Sequence, residues 1–332
     1  METNLELGRK PKPGLTVPDK LPLLEGLCWN IAYPYRLTPQ EMLSVYEQRW
    51  RFKGMLGEPS LEEIEFIQKL TSYYYEASLF PDLAIDKQRF YDLAIKILND
   101  LDRQLLLDYQ AYFAGGTMLC LEQDRYRLSY DLDFLCNMSG YKKLRQWFND
   151  RNCQELFARD TILGIPSEVR KDQYSIRFPV TVIEAGEELT IKLEFIVENR
   201  FELETPQTLR VANVSSISLN DCFTTKLLAN ADRWNDSSTN ARDLIDLAVL
   251  RRQSPIPDVA MAKAEAAYRV RQPLVEAIKR FQASAKLRQK CYDSLRIDNP
   301  VIIIDGIDLL ADDFALKPTD REFNETDFSY LD

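Results

Sequence analysis

Residues 115–136 read GGTMLCLEQDRYRLSYDLDFLC, and the change of period within this stretch decides the fold. The apolar run YQAYFA (109–114) leads into Gly115-Gly116, and the residues after the glycines suit a helix. Backbone amides at such a turn can close on an anion, and the positive end of the following helix favours it. Residues 131–136, DLDFLC, then read as a buried strand. Side chains at i and i+2 of a strand share a face, so Asp131 and Asp133 project together while Leu132 and Phe134 point into apolar packing. Two carboxylates held side by side need a cation between them. A divalent metal with oxygen ligands meets that need, and magnesium held by one or two carboxylates plus substrate phosphates is the common arrangement. Asp131 and Asp133 are therefore expected metal ligands.

Farther along, LTIKLEFIVE (189–198) alternates in the same way. Ile191, Leu193, Phe195 and Val197 share one face, and Thr190, Lys192, Glu194 and Ile196 the other. Glu194 is the expected third catalytic and metal-binding carboxylate if a neighbouring strand brings it beside Asp131 and Asp133. The competing reading is a surface glutamate paired with Lys192. With YSIRFPVTVI (174–183), these runs predict a mixed α/β core over residues 105–215. Upstream, residues 1–37 are proline-rich and irregular. Helical patterns follow over 39–53, after a Ser60-Leu61-Glu62-Glu63 capping box, and from residue 86, forming an N-terminal helical segment over 1–104. Downstream, helical signals from Ser218 to about residue 290 define a helical bundle over 216–295, leaving 296–332 as an acidic tail. The fold class expected is α+β, a mixed-sheet core between the N-terminal helical segment and the C-terminal helical bundle.

Composition narrows the chemistry. The 332 residues include no histidine, which excludes imidazole acid–base catalysis, Ser-His-Asp and Cys-His nucleophiles, and histidine-bound zinc. Cys28, Cys120, Cys136, Cys153, Cys222 and Cys291 are scattered without a C-x-x-C pair, so reduced, buried thiols are expected. The charged amino terminus and the absence of a long apolar run predict a cytoplasmic protein with no membrane partner. Net charge is −10, which argues against indiscriminate polyanion binding. Its distribution is uneven, however. Residues 226–290 hold 13 Lys and Arg against 7 Asp and Glu, whereas residues 291–332 hold 3 against 11. A basic segment of this kind permits polyanion binding at one face.

Four spaced elements carry a family resemblance. They are Gly115-Gly116-Thr117, then Arg127, Ser129 and the Asp131-Leu132-Asp133 pair, then Lys226-Leu227 with Arg233, and Arg242-Asp243-Leu244-Ile245-Asp246. Together they resemble the nucleotidyltransferase superfamily, and within it the AbiEii/AbiGii-type abortive-infection toxins. The resemblance implies a nucleotidyltransferase-fold core and a magnesium-dependent enzyme. Such an enzyme moves a nucleoside monophosphate from a nucleoside triphosphate to a macromolecular acceptor, with RNA such as transfer RNA the expected one, and a cognate antitoxin protein as a further partner. It implies nucleotide contacts at Gly115, Gly116, Thr117, Arg127, Ser129, Lys226 and Arg242. Catalytic roles fall to Asp131, Asp133, Glu194, Lys226 and Asp243, with Asp243 orienting Lys226 or Arg242. The chain departs from the family pattern at Glu194, where aspartate is common, and at Asn240, where a basic residue often precedes the fourth element. Two alternatives stand beside this reading: a small-molecule nucleotidyltransferase of the antibiotic-modifying sort, and a catalytically silent relative that binds a nucleotide or a partner. The basic character of residues 226–290 favours a polyanionic acceptor over the first, and the retained Asp131 and Asp133 count against the second.

Overall fold

The computed structural model describes residues 16–29, 31–49, 56–75, 87–157, 163–164, 169–184 and 187–326. The chain divides into two units between Leu83 and Ala84, so the expected boundary at 104 moves to earlier in the sequence. The first unit contains α1 (Pro22–Leu27), α2 (Pro39–Arg49) and α3 (Leu61–Tyr75). Pro22 opens α1, where its missing N–H costs nothing, so the proline-rich stretch expected to be irregular contains a helix. Residues 50–53 of the helix expected over 39–53 lie outside the described residues. The capping box is half formed: Ser60 Oγ accepts the Glu63 N–H at 3.1 Å. The Glu63 carboxylate turns inward instead, accepting the Leu23 and Leu24 N–H groups at 2.9 and 2.8 Å and the Tyr46 hydroxyl at 2.7 Å. A fully buried acid thus caps α1 from another helix and ties the three helices around Leu23, Leu27, Leu43, Phe66 and Leu70.

The second unit begins with α4 (Lys87–Asp100) and α5 (Arg103–Asp108). Phe90, Tyr91, Ala94, Ile97 and Leu98 recur at helical spacing and bury α4 in the same core as the sheet. The expected single helix from 86 breaks where Leu101 bridges to Phe157 and Asp102 caps α5 through the Leu105 N–H. Next come β1 (Ala111–Ala114), α6 (Gly115–Glu122), β2 (Asp131–Cys136) and α7 (Met138–Asp150). Strands β3 (Leu163–Gly164), β4 (Arg170–Lys171), β5 (Ser175–Glu184), β6 (Glu187–Val197), β7 (Gln207–Thr208) and β8 (Ser215–Ser216) complete one mixed sheet. Its order is β3-β5-β6-β2-β1-β8-β7, with β4 also on β5. The central β2 runs antiparallel to β1 and parallel to β6.

Register carries the period-two pattern across the sheet. Phe113 pairs with Phe134, and Phe134 with Phe195; both ring pairs lie 5.3 Å apart. Phe148 of α7 packs on Phe195 at 5.9 Å. These pairs together build an aromatic row, each worth roughly 0.5–1.5 kcal/mol beyond its burial. One residue away along each strand, Ala114 pairs with Asp133 and Asp133 with Glu194. The apolar row anchors the sheet, and the opposite face carries the acids.

Helices α8 (Leu219–Arg233), α9 (Arg242–Gln253), α10 (Asp258–Ala267), α11 (Arg271–Gln282), α12 (Ala285–Leu295) and α13 (Pro300–Asp313) follow. Within the expected acidic tail, the described residues 296–326 are not a tail. Ile303, Ile304, Ile307 and Leu310 bury α13 in the core, and it approaches α9 so closely that a Cβ on Gly306 would collide with the Ala248 carbonyl. Three of the four acids of α13 have ion-pair partners: Arg321 pairs with Asp305 and Asp308, and Arg251 with Asp313. All six cysteines are buried free thiols, as expected. Among the described residues no helix is long and apolar enough to cross a membrane.

Candidate active site

The site begins where β1 ends. Gly115 adopts φ +78°, a left-handed conformation that glycine takes without strain, and a Cβ there would collide with the Asp133 carboxylate. At Gly116 a Cβ would collide with the Arg127 guanidinium and come 2.6 Å from Ser129 Oγ. The glycine pair therefore lets the start of α6 lie directly against Asp133 and Ser129. No side chain caps α6, so its first amides are available to an anion. The Thr117 hydroxyl is not: Thr117 is fully buried and donates to the Ser129 carbonyl at 3.0 Å.

Asp131 and Asp133 share one face of β2, with Leu132 and Phe134 fully buried behind them. The parallel pairing sets Lys192 opposite Asp131 and Glu194 opposite Asp133. The antiparallel pairing of β5 on β6 sets Arg177 opposite Glu194. Lys192 Nζ lies 3.3 Å from Asp131 Oδ1 and 3.0 Å from Glu194 Oε2, and Arg177 Nε 3.5 Å from Glu194 Oε1. Asp133 makes no hydrogen bond or ion pair among the described residues. Burial, and then the like charge of Asp131, push its carboxyl up to about 7, with Lys192 and Lys226 opposing and Glu194 adding to the rise. Burial disfavours the charge on Lys192, yet Asp131, Glu194 and Asp133 outweigh it and hold the ammonium above the usual lysine range.

A second cluster sits where α8 meets α9. Asp246, fully buried, accepts Arg127 Nε and Nη2 at 2.6 and 2.8 Å and the Tyr126 hydroxyl at 2.5 Å. Lys226 Nζ lies 2.6 Å from Asp246 and 3.5 Å from Asp243, and Arg233 grips Asp243 through Nε at 2.6 Å and Nη2 at 2.9 Å. Burial alone would raise both acids. The cations Arg127 and Lys226 instead hold Asp246 well below the ordinary carboxylate range, and Lys226 with Arg233 lowers Asp243.

Two expected nucleotide contacts, Thr117 and Arg127, are thereby reassigned by geometry. Arg127 is 2% exposed and its donors are spent on Asp246 and the Leu128 carbonyl, so it joins β2's approach to α9 instead of facing a ligand. Asp243 orients Lys226 and Arg233, whereas Arg242 is exposed and makes no ion pair among the described residues. The protein mass around Arg242 and the like charge of Arg233 lower its pKa. Arg242 follows Asn240 and Ala241, which both adopt left-handed backbone at φ 49° and 52°.

The donor set can be tested against a divalent cation. Asp131 and Asp133 offer hard oxygens on one face, and Lys192 already stands as a cation against that face, which fits a magnesium-type ion completed by substrate phosphates. The expected trio with Glu194 is brought to one face but does not close: among the described residues no three such side chains form a metal cage, because Lys192 and Arg177 hold Glu194. Sequence reasoning left out Lys192, Arg177, Tyr126 and Asp246 as site residues. Lys192 had a signal, since it must share a face with Glu194 two residues on. Arg177 had a weaker one, because it and Glu194 lie equally far from Ala185-Gly186 between the two strands.

A family model described as "Nucleotidyl transferase AbiEii toxin, Type IV TA system" matches residues 96–324. No curated protein matches the chain. Among solved structures it is similar to JHP933 from Helicobacter pylori, at 18% identity over 69% of this chain and 91% of that one, with a TM-score of 0.38. It is also similar to an antigenic nucleotidyltransferase-like protein from Paracoccidioides brasiliensis, at 11% identity over 62% and 93%, with a TM-score of 0.29.

Proposed function

Because the chain belongs to the AbiEii nucleotidyl transferase toxin family of type IV toxin–antitoxin systems, we propose that it transfers a nucleoside monophosphate from a nucleoside triphosphate to an RNA acceptor, transfer RNA first among them. A magnesium ion and a cognate antitoxin belong to the same reading. The observation that carries it is the Asp131–Asp133 pair on one strand face, with Asp133 against the uncapped start of α6. When bound at Asp131 and Asp133, a divalent cation supplies charge stabilisation to the triphosphate and lowers the pKa of an attacking hydroxyl.

The protein's own groups do the rest. The amides of Gly115 and Gly116, with the Ser129 hydroxyl beside them, bind phosphate oxygens at the positive end of α6. Lys226 has two carboxylate partners and a third donor to spare, which it offers to the triphosphate. Asp243 and Asp246 keep it charged and fixed, so that no reorganisation is needed as charge develops. Arg242, exposed at the start of α9, adds a further cation for the phosphates. Arg127 acts as a positioning residue that locks Asp246.

Support for a polyanionic acceptor comes from Arg269, Arg271, Lys279, Lys286 and Lys290, which are exposed around α11 and α12 while the whole chain is acidic. The test is incubation with each labelled triphosphate, magnesium and total cellular RNA. Label should appear in an RNA band and vanish with Asp133→Ala. Label confined to small molecules would favour the antibiotic-modifying alternative, and no label with any triphosphate would favour the silent one.

A further inference from the structure

The face formed by β2 and β6 is a two-by-two array in register: Asp131 beside Lys192, and Asp133 beside Glu194. One corner of the four is a cation. Its ammonium contacts Asp131 at 3.3 Å across the strands and Glu194 at 3.0 Å along its own strand. The remaining corner, Asp133, has no ionic or hydrogen-bonded partner among the described residues. Three acids on one face would repel one another strongly without a counter-charge. Lysine suits a temporary one, being a compact charge on a flexible four-carbon stem that can withdraw without disturbing the strand.

We propose that Lys192 is a tethered counter-cation of this face, which holds Asp131 and Glu194 in the metal-free protein and is released from Asp131 when a divalent cation takes the Asp131–Asp133 pair. The idea rests on the metal-dependent reading above and assigns Lys192 a positioning role. Two cations on the Asp131 carboxylate repel one another and divide its charge, so lysine and metal compete. Arg177 provides the internal control. Of the array it reaches only Glu194, at 3.5 Å and from a more exposed position, its shorter ion pair being with Asp172 outside the array, so its removal changes the field without vacating Asp131.

The test uses the full-length protein and manganese(II) alone, with bound ion counted by the loss of the free-ion electron paramagnetic resonance signal. Lys192→Met should bind manganese roughly three- to tenfold more tightly than the wild type, the size expected from removing partly exposed competing ion pairs. Arg177→Met should change affinity by less than about twofold, and Asp131→Asn should lose binding. A second measurement needs no variant: amine-reactive labelling of Lys192 in the wild type, read by mass spectrometry, should rise severalfold on saturation with manganese. Unchanged or weaker binding by Lys192→Met, or an equal gain in Arg177→Met, would overturn the role of Lys192 while leaving the metal site standing. Unchanged labelling of a manganese-loaded wild type would do the same. If neither the wild type nor Lys192→Met binds manganese at all, the metal-dependent reading fails and this proposal fails with it.

Discussion

Asp131, Asp133 and Glu194 on the sheet and Asp243 and Asp246 on α9 are five acids of one chain, and they end in opposite electrostatic states. On α9 the two carboxylates meet three cations, Arg127, Lys226 and Arg233, and each oxygen of the pair has a partner. On the sheet three carboxylates face Lys192 and, at longer range, Arg177, leaving Asp133 without a partner among the described residues. The α9 cluster is closed: both its carboxylates are fully paired in holding helices to the sheet's approach loop, and only Lys226 keeps a donor over. The sheet cluster is short of positive charge and partly open, with the Asp131 side chain 46% exposed. Burial of charge is tolerated in both because neither lies in purely apolar surroundings. What separates them is whether the chain itself supplies the counter-ion.

The largest effect should come from breaking the closed cluster. Asp246→Ala strands Arg127 and Lys226 without their shared partner, and removing one member of a buried ion pair costs about 3–5 kcal/mol. Urea unfolding should report that loss; a change under about 1 kcal/mol would mean that the α9 cluster is not structural.

Next in size is the open cluster, where activity and stability should part company. Asp133→Ala should lower labelled-nucleotide transfer by about a thousandfold, or about 4 kcal/mol in the barrier. Its metal-free melting temperature should equal or exceed that of the wild type, because an unpartnered acid has been removed. A melting drop as large as that of Asp246→Ala would place the two clusters in the same class.

pH should separate them in opposite directions. Asp246 and Asp243 are held below the unfolded aspartate value of about 3.9, so the stability they contribute is complete above that pH and is lost as pH falls below it, through their folded values. Asp133 titrates near 7 in the folded protein, above its unfolded value, so the metal-free protein loses stability between about pH 4 and 7 as this group ionises. Asp133→Asn should therefore gain on the wild type by on the order of 1–3 kcal/mol at about pH 8 and by little at about pH 4. Denaturant midpoints across that range check both signs.

Smallest is Glu194→Gln. The amide keeps one acceptor oxygen, enough for Lys192 or Arg177 but not both, while removing one charge at a partly exposed site, so transfer should fall only about tenfold, with melting within about 2 °C of the wild type. A loss equal to that of Asp133→Ala, measured under the same conditions, would promote Glu194 to a full metal ligand.

Much of this is legible in the amino-acid sequence. Leu132 and Phe134 behind Asp131 and Asp133, the helix after Gly115-Gly116, and the alternation around Glu194 all follow from a two-residue strand period and from glycine's freedom at φ +78°. Less is legible where a side chain chooses between near and distant partners. Ser60 announces a capping box, but Glu63 finds better use in the bare N–H groups of α1, about 40 residues earlier in sequence. Residues 296–332 look like a tail because their charges are conspicuous in sequence, while the apolar stripe of Ile303, Ile304, Ile307 and Leu310 decides where α13 goes. Arg127 looks like a phosphate ligand until the fold brings Asp246, 119 residues away, within 2.6 Å.

By itself the sequence determined the two periods, the glycine turn, the absence of histidine chemistry and the set of acids available on one strand face. Those are local properties, set by dihedral geometry and residue type over a few positions. Only the tertiary structure decided which acids keep a free charge. That depends on register between strands and on helix packing, which bring Lys192 to Asp131 and Arg127 to Asp246, and a carboxylate's state follows from the charges within a few ångströms of it, whatever their distance along the chain.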